Sequence, residues 1–226
     1  MSKSGLEPVS VPDGWKAIYH NPLASDGDVA PFWMEGGGKV SFPSGRMRLE
    51  SADGTNFVYW CPDEFPADIA VEWSFRPLRE PGLCILFAAA RGRGGEDLFH
   101  PRLKPRTGDY PEYHHGDINA LHVSYFRRRW EEERRFHTCN LRKSHGFHLV
   151  AQGADPIPDA EDADKMYRLL FVKQGASVTF AIDGLRIFEW ADDGRTYGPV
   201  LGGGKIGFRQ MAPMVAEYAD LTVYAP

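Results

Sequence analysis

Apolar and polar residues alternate along most of this chain with a period of two. That is the signature of strands buried on one face. The clearest unit runs from Ser177 to Trp190. Val178, Phe180 and Ile182 alternate with smaller or polar residues, Asp183-Gly184 supplies a tight turn, and Leu185 and Ile187 resume the alternation. Further strands are predicted at Phe57–Cys61, Ile69–Pro77, Gly82–Ala89, Ala120–Arg127, Thr138–Lys143, Phe147–Gln152, Tyr167–Lys173, Lys205–Gln210 and Ala219–Tyr224. Helical periodicity is weak, and the Arg- and Glu-rich stretch 127–135 reads as a short helix or a charged hairpin tip. Turn signals recur every ~8–12 residues, the spacing of a β-sandwich. The pattern shows no linker and no internal repeat, so the expectation is one all-β domain over residues 1–226, with its core at about 15–224.

Two segments break the rhythm. The loop 91–118 is rich in Gly, Pro, Tyr and His, and its aromatics Phe99, Tyr110 and Tyr113 argue against disorder. The loop 153–165 carries Asp155, Asp159, Glu161, Asp162 and Asp164. Long loops in a compact β domain are commonly functional.

Alternation also sorts the polar residues. Val71, Trp73 and Phe75 point inward, as do Leu121 with Val123, Cys139 with Leu141, and Ile206 with Phe208. If these strands share one sheet, its open face gathers Glu72, Arg76, His122, Ser124, Asn140, Arg142, Lys205 and Arg209. A solvated polar face is the plain alternative. Strict alternation places Tyr125 on the core side unless the strand ends or bulges there.

Composition narrows the classes. The chain has 226 residues, 26 Lys+Arg against 31 Asp+Glu, and a net charge of −5, which excludes a broad nucleic-acid surface. Its 42% hydrophobic content excludes disorder. The polar start Met1-Ser-Lys-Ser-Gly-Leu carries no secretory h-region, and no apolar run approaches the ~20 residues of a membrane span. Cys61, Cys84 and Cys139 are odd in number and sit in apolar segments. They read as buried free thiols of a cytoplasmic protein. His114-His115 and His145-Gly-Phe-His148 lack further ligands at metal spacing, so no metal or other cofactor is expected. A structural Ca²⁺ on the acidic loop is the weaker alternative to a solvated loop. Gly202-Gly-Gly-Lys205 lacks the spacing of a phosphate loop.

The stretches Phe32-Trp-Met-Glu-Gly, Tyr59-Trp-Cys-Pro-Asp-Glu-Phe-Pro, Gly95-Glu-Asp-Leu-Phe, Gly116-Asp-Ile-Asn-Ala-Leu-His-Val-Ser-Tyr-Phe-Arg-Arg, His137-Thr-Cys-Asn-Leu-Arg-Lys-Ser, Leu149-Val-Ala-Gln-Gly-Ala-Asp-Pro and Gly207-Phe-Arg-Gln-Met-Ala-Pro resemble the YesU-like bacterial family, long classed as a domain of unknown function. The resemblance implies a concanavalin A-like jelly-roll sandwich of two antiparallel sheets. It also implies a role around the breakdown of acidic plant-type polysaccharides, with a uronate- or rhamnose-containing oligosaccharide as partner. No catalytic residue carries over.

Three functions compete. A metal-independent lyase needs a cation or amide on the carboxylate, a base for the C5 proton and an acid for the leaving oxygen. Arg142, Arg209 and Asn140 suit the first role, His122 the second, and Tyr125, Tyr110 or Tyr113 the third. Glu72, Arg76, His115, Asp117, Ser124 and Lys205 complete the expected binding set, with Asp117 placed to orient His115. A glycoside hydrolase needs a carboxyl pair, drawn from Glu72, Glu96, Asp97 and Asp117. A non-catalytic sugar-binding module is the third. The lyase is the favoured expectation, with no nucleic-acid or membrane partner and homodimerisation left open.

Overall fold

The computed structural model describes residues 7–52 and 54–226; the polar start Met1–Leu6 lies outside the described residues. The predicted hairpin illustrates how sequence becomes structure. Asp183 and Gly184 both adopt positive φ, 49° and 80°, as a tight primed turn requires. Phe180 and Ile182 then enter the core, where Phe180 lies 5.4 Å from Phe188.

In chain order the strands are β1 (Lys16–Asn21), β2 (Trp33–Gly36), β3 (Gly38–Ser41), β4 (Met47–Ser51), β5 (Phe57–Trp60), β6 (Ile69–Arg79), β7 (Cys84–Gly92) and β8 (Ile118–Tyr125). They continue as β9 (Thr138–Lys143), β10 (His148–Ala154), β11 (Tyr167–Gln174), β12 (Ser177–Ile182), β13 (Leu185–Ala191), β14 (Lys205–Gln210) and β15 (Val215–Ala225). Short helices α1 (Asp26–Val29), α2 (Pro111–His114) and α3 (Glu131–Phe136) sit in the connections. One sheet has eight strands in the order β13-β12-β11-β6-β15-β4-β3, with β1 also pairing with β15. The other has seven, ordered β10-β9-β8-β7-β14-β5-β2. All pairings between named strands are antiparallel. The result is a lectin-like jelly-roll sandwich.

Between the sheets lies the main core. Val71, Trp73 and Phe75 of β6 meet Leu121, Val123 and Tyr125 of β8 and Phe208 of β14. The three cysteines are buried and free, and burial pushes each thiol pKa up.

The seven-stranded sheet buries its outer face as well. Val58, Trp60, Ile85 and Phe87 form a second apolar layer with Leu98 and Tyr113 from the loop between β7 and β8. That loop therefore lies across the middle of the face, and charged groups fasten it there. Arg106 makes a two-point pair with Glu35 of β2, Nη2 to Oε1 at 2.7 Å and Nε to Oε2 at 3.1 Å. The same carboxylate accepts from Trp60 Nε1 and Tyr113 Oη, both at 2.9 Å. Gly108, at φ 94°, lies so close to Asn56 that a Cβ would meet its carbonyl oxygen at 2.4 Å.

The acidic loop 153–165 has a structural use. Asp155 and Asp159 both pair with Arg128, whose side chain is fully buried, and Arg128 Nη2 donates to Ile157 O at 2.8 Å. Arg127 pairs with Glu133 of α3, the local salt bridge expected from the Arg and Glu runs.

Candidate functional site

Strand register assembles the outer face of the seven-stranded sheet into rows. One row reads Asn140–Ser124–Ile85–Arg209–Val58–Glu35, and the next reads Arg142–His122–Phe87–Gly207–Trp60–Trp33. The covering loop occupies the middle of both rows and leaves two distinct ends.

The first end is basic. Arg142, His122, Ser124, Asn140 and Arg209 share this face, as alternation along β8, β9 and β14 requires. Tyr110, at the start of α2, closes over them. Its hydroxyl lies 3.1 Å from His122 Nδ1, and its ring lies 4.9 Å from the Arg209 guanidinium. Arg209 is fully buried and donates from Nη1 to Gly108 O at 2.7 Å, while Nε and Nη2 have no partner among the described residues. Among the described residues it makes no ion pair. Arg142 is half-buried, stacks on Phe147 at 3.7 Å and donates to the Phe147 carbonyl. It too makes no ion pair among the described residues. Burial lowers both guanidinium pKa values.

Electrostatics fix the protonation of the neighbours. Burial holds His122 well below the usual histidine range, and nearby His114, Arg142 and Arg209 add to the shift. His122 is therefore neutral. Burial raises the Tyr110 pKa to about 12 against the pull of Arg209, Arg142 and Arg127, so its hydroxyl keeps its proton.

Several expected members stand elsewhere. Glu72 and Arg76 lie on β6, which belongs to the eight-stranded sheet because it pairs with β11 and β15. Glu72 faces Arg168 at 3.6 Å, and Arg76 donates to Ala163 O. The eight-residue open face therefore splits between two sheets. Tyr125 follows strict alternation into the core, fully buried against Trp73 and Phe75, which removes it as a general acid. His122 is on the expected face but fully buried, its two ring nitrogens engaged by Tyr110 Oη and Ser144 Oγ. It cannot touch a substrate as a base in this arrangement. Tyr113 is buried and gives its hydroxyl to Glu35. Lys205 is a tether, with Nζ 2.6 Å from Pro62 O and 3.0 Å from Asp97. Asp117 accepts from the Lys104 amide, while His115 is exposed and hydrogen-bonds His114, so the expected His–Asp pair does not form.

The other end is aromatic. A groove of about 610 Å³ is lined by Trp33, Met34, Glu35, Leu98, Phe99, Lys104 and Arg106, among others. Trp33 is 60% exposed and Phe99 37% exposed, with ring centroids 6.4 Å apart. Sequence reasoning passed over this end because β2 is only four residues long. The Phe32-Trp-Met-Glu-Gly stretch nevertheless holds the signal, since Trp33 and Glu35 alternate outward.

A family model described as "Domain of unknown function (DUF1961)" matches residues 16–223. The uncharacterized protein YesU of Bacillus subtilis is 59% identical over 208 residues, covering 92% of this chain and 94% of its own. The crystal structure of a Bacillus subtilis protein of unknown function with a galectin-like fold superposes with a TM-score of 0.91 at 58% identity. That match covers 92% of this chain and 97% of the other. The carbohydrate binding module CBM66 from Bacillus subtilis superposes with a TM-score of 0.56 at 12% identity, over 86% and 96% of the two chains, a likeness of fold alone. Among the described residues no helix is long and apolar enough to cross a membrane. With the family model spanning nearly the whole chain and a close relative along its length, the chain belongs to the DUF1961 family.

Proposed function

We propose that this protein is a saccharide-binding protein whose ligand carries a carboxylate, received at the basic end of the seven-stranded sheet. The observation that carries the reading is Arg209. A fully buried guanidinium with two unpartnered nitrogens and no ion-pair partner among the described residues is an unbalanced charge. A carboxylate fits that donor fork in charge and shape, and it reaches the buried nitrogens when Tyr110, whose ring lies over the guanidinium, turns aside. Arg142 and Tyr110, the partly exposed members, form the entry, and Ser124 and Asn140 supply hydroxyl-binding groups on the floor. The sandwich fold, shared with a module described as carbohydrate binding, supports a sugar as the carrier of that carboxylate.

Calorimetry with trigalacturonate and with its carboxyl-reduced counterpart tests this. The acidic sugar binds, the reduced one binds at least tenfold more weakly, and Arg209→Met abolishes the difference while the thermal midpoint is retained. Equal binding of the two sugars, or none of either, overturns the reading.

One observation favours a lyase as a second reading. Tyr110, partly exposed beside Arg142 and Arg209, has its hydroxyl held by the buried, neutral His122, which would position it to exchange a proton with a bound sugar. Near-ultraviolet absorbance growing during incubation with trigalacturonate would mark unsaturated product and favour that reading. A flat trace leaves the binding function alone.

A further inference from the structure

We propose that the groove walled by Trp33 and Phe99 is a second saccharide site, one that stacks the apolar face of a neutral pyranose ring on their exposed surface. It lies at the opposite end of the row that begins with Arg142. Five strand spacings separate the two positions, about 24 Å at 4.8 Å per spacing. The groove is thus a separate place on the same face, and it stands or falls independently of the basic cluster.

Three observations converge. The first is size: about 610 Å³ is within the range of small-ligand sites. The second is two large aromatic rings left open to solvent in a molecule that buries most of its others. Trp33 and Phe99 pack on one another at a tilt, 6.4 Å between centroids, and together form one wall of the groove, although the loop carrying Phe99 already packs its Leu98 against the sheet. The third is a rigid polar floor. Glu35 and Arg106 are both buried and locked together. Arg106 uses Nε and Nη2 on Glu35 and Leu98 O, and Nη1 has no hydrogen bond among the described residues.

This combination selects the occupant. A pyranose presents a C–H face to aromatic plates and hydroxyls around its rim. The groove offers the Trp33 and Phe99 rings at its mouth and the free Arg106 Nη1 at its base, held in place by a Glu35 carboxylate already taken up by its four donors. Charge complementarity points to a neutral ring, because Glu35 and Arg106 cancel each other. Lys104, which makes no ion pair among the described residues, is exposed at the rim, away from the paired floor. The site is also preformed: the Arg106–Glu35 pair and the Lys205–Asp97 tether hold the loop on either side of Phe99, so little ordering remains on binding.

The test is calorimetric titration of the full chain with cellotetraose, xylotetraose, maltotetraose and β-1,4-galactotetraose, and with octaproline as the competing chemistry for an aromatic groove. Trp33→Ala and Phe99→Ala remove exposed rings and should keep the fold, which circular dichroism melting verifies. At least one tetrasaccharide is expected to bind the parent protein. Each variant weakens that binding at least tenfold, and Arg209→Met leaves it within twofold. Three results overturn the proposal: no tetrasaccharide binds, binding is equal in the parent and both variants, or octaproline alone binds in a Trp33-dependent way. A loss in Arg209→Met equal to that in Trp33→Ala would merge the two ends into one site and likewise overturn it.

Discussion

Replacing Glu35 with alanine should be among the most damaging single changes in the molecule, although Glu35 sits on a four-residue edge strand. The carboxylate accepts four hydrogen bonds from three side chains, and the two members of its ion pair are each 5% exposed. Its removal leaves the Arg106 guanidinium buried and unpaired, which costs about 3–5 kcal/mol. It also strips the acceptor from Trp60 Nε1 and Tyr113 Oη, at about 1–3 kcal/mol each when no water enters. The vacated volume admits water, so the low end applies and the loss is about 5 kcal/mol. For a chain of 226 residues this lowers the melting temperature by roughly 10–20 °C. Thermal melting followed by circular dichroism measures it, and limited proteolysis should find new cuts within 91–117. The double variant Glu35→Leu/Arg106→Met removes both charges and should recover most of the loss, because it is the orphaned charge that does the damage. A Glu35→Ala variant within 1 kcal/mol of the parent, or a double variant no better than the single, would refute the account of how the loop is held.

Two further predictions concern the frame of the site. Arg128→Met should destabilise by about 3–5 kcal/mol in urea unfolding, because it leaves the fully buried Asp155 carboxylate without its ion-pair partner. Stability should also fall on mild acidification. Burial and the adjacent His115 hold His114 at about 4, against 6.5 when unperturbed. Between those values the unfolded chain binds a proton that the folded chain refuses, so stability is full above pH 6.5 and declines as pH falls towards 4. His122, also held well below the usual histidine range, adds to the same decline, so His114→Gln should reduce the slope of its upper part, above the range where ordinary carboxylates titrate, without abolishing it. An unchanged slope in that variant would remove His114 as a cause.

Much of the sandwich was legible because alternation is a local signal. Val71-Glu-Trp-Ser-Phe and Leu121-His-Val-Ser each state which side chains face inward, and both segments obey. What alternation cannot state is which sheet a strand joins. Glu72 and His122 have the same pattern around them, yet pairing places β6 beside β11 and β8 beside β9. That long-range choice separated Glu72 and Arg76 from the rest. Tyr125 was legible as a core residue; giving it a catalytic role required a bulge that the register between β8 and β7 does not contain at that point. The closing of the outer face was hidden for a different reason. The contacts that fold loop 91–117 down, such as Arg106 to Glu35 across 71 positions, have no periodicity to betray them. The exposed Trp33 was hidden too, because exposure of an apolar residue breaks the rule by which strands are read.

The net charge of −5 is a poor guide to the charge a ligand would meet, and the pairing of acids with bases explains why. Glu35, Asp97, Asp155 and Asp192 are each committed to a buried cation: Arg106, Lys205, Arg128 and Lys143. These pairs fasten loops to strands and largely cancel in the field. Arg209 and Arg142 lie outside this scheme, stacked on aromatic rings and bonded to carbonyl oxygens instead. Aromatic faces and carbonyls stabilise a guanidinium without neutralising it, so its charge remains available to a ligand. Burial excludes mobile counterions from Arg209 as well. An anion held there would feel that charge with little screening, and its affinity should depend only weakly on added salt. Binding through an exposed lysine patch would instead weaken steeply as salt is added, so the salt dependence separates a built anion site from a merely basic surface.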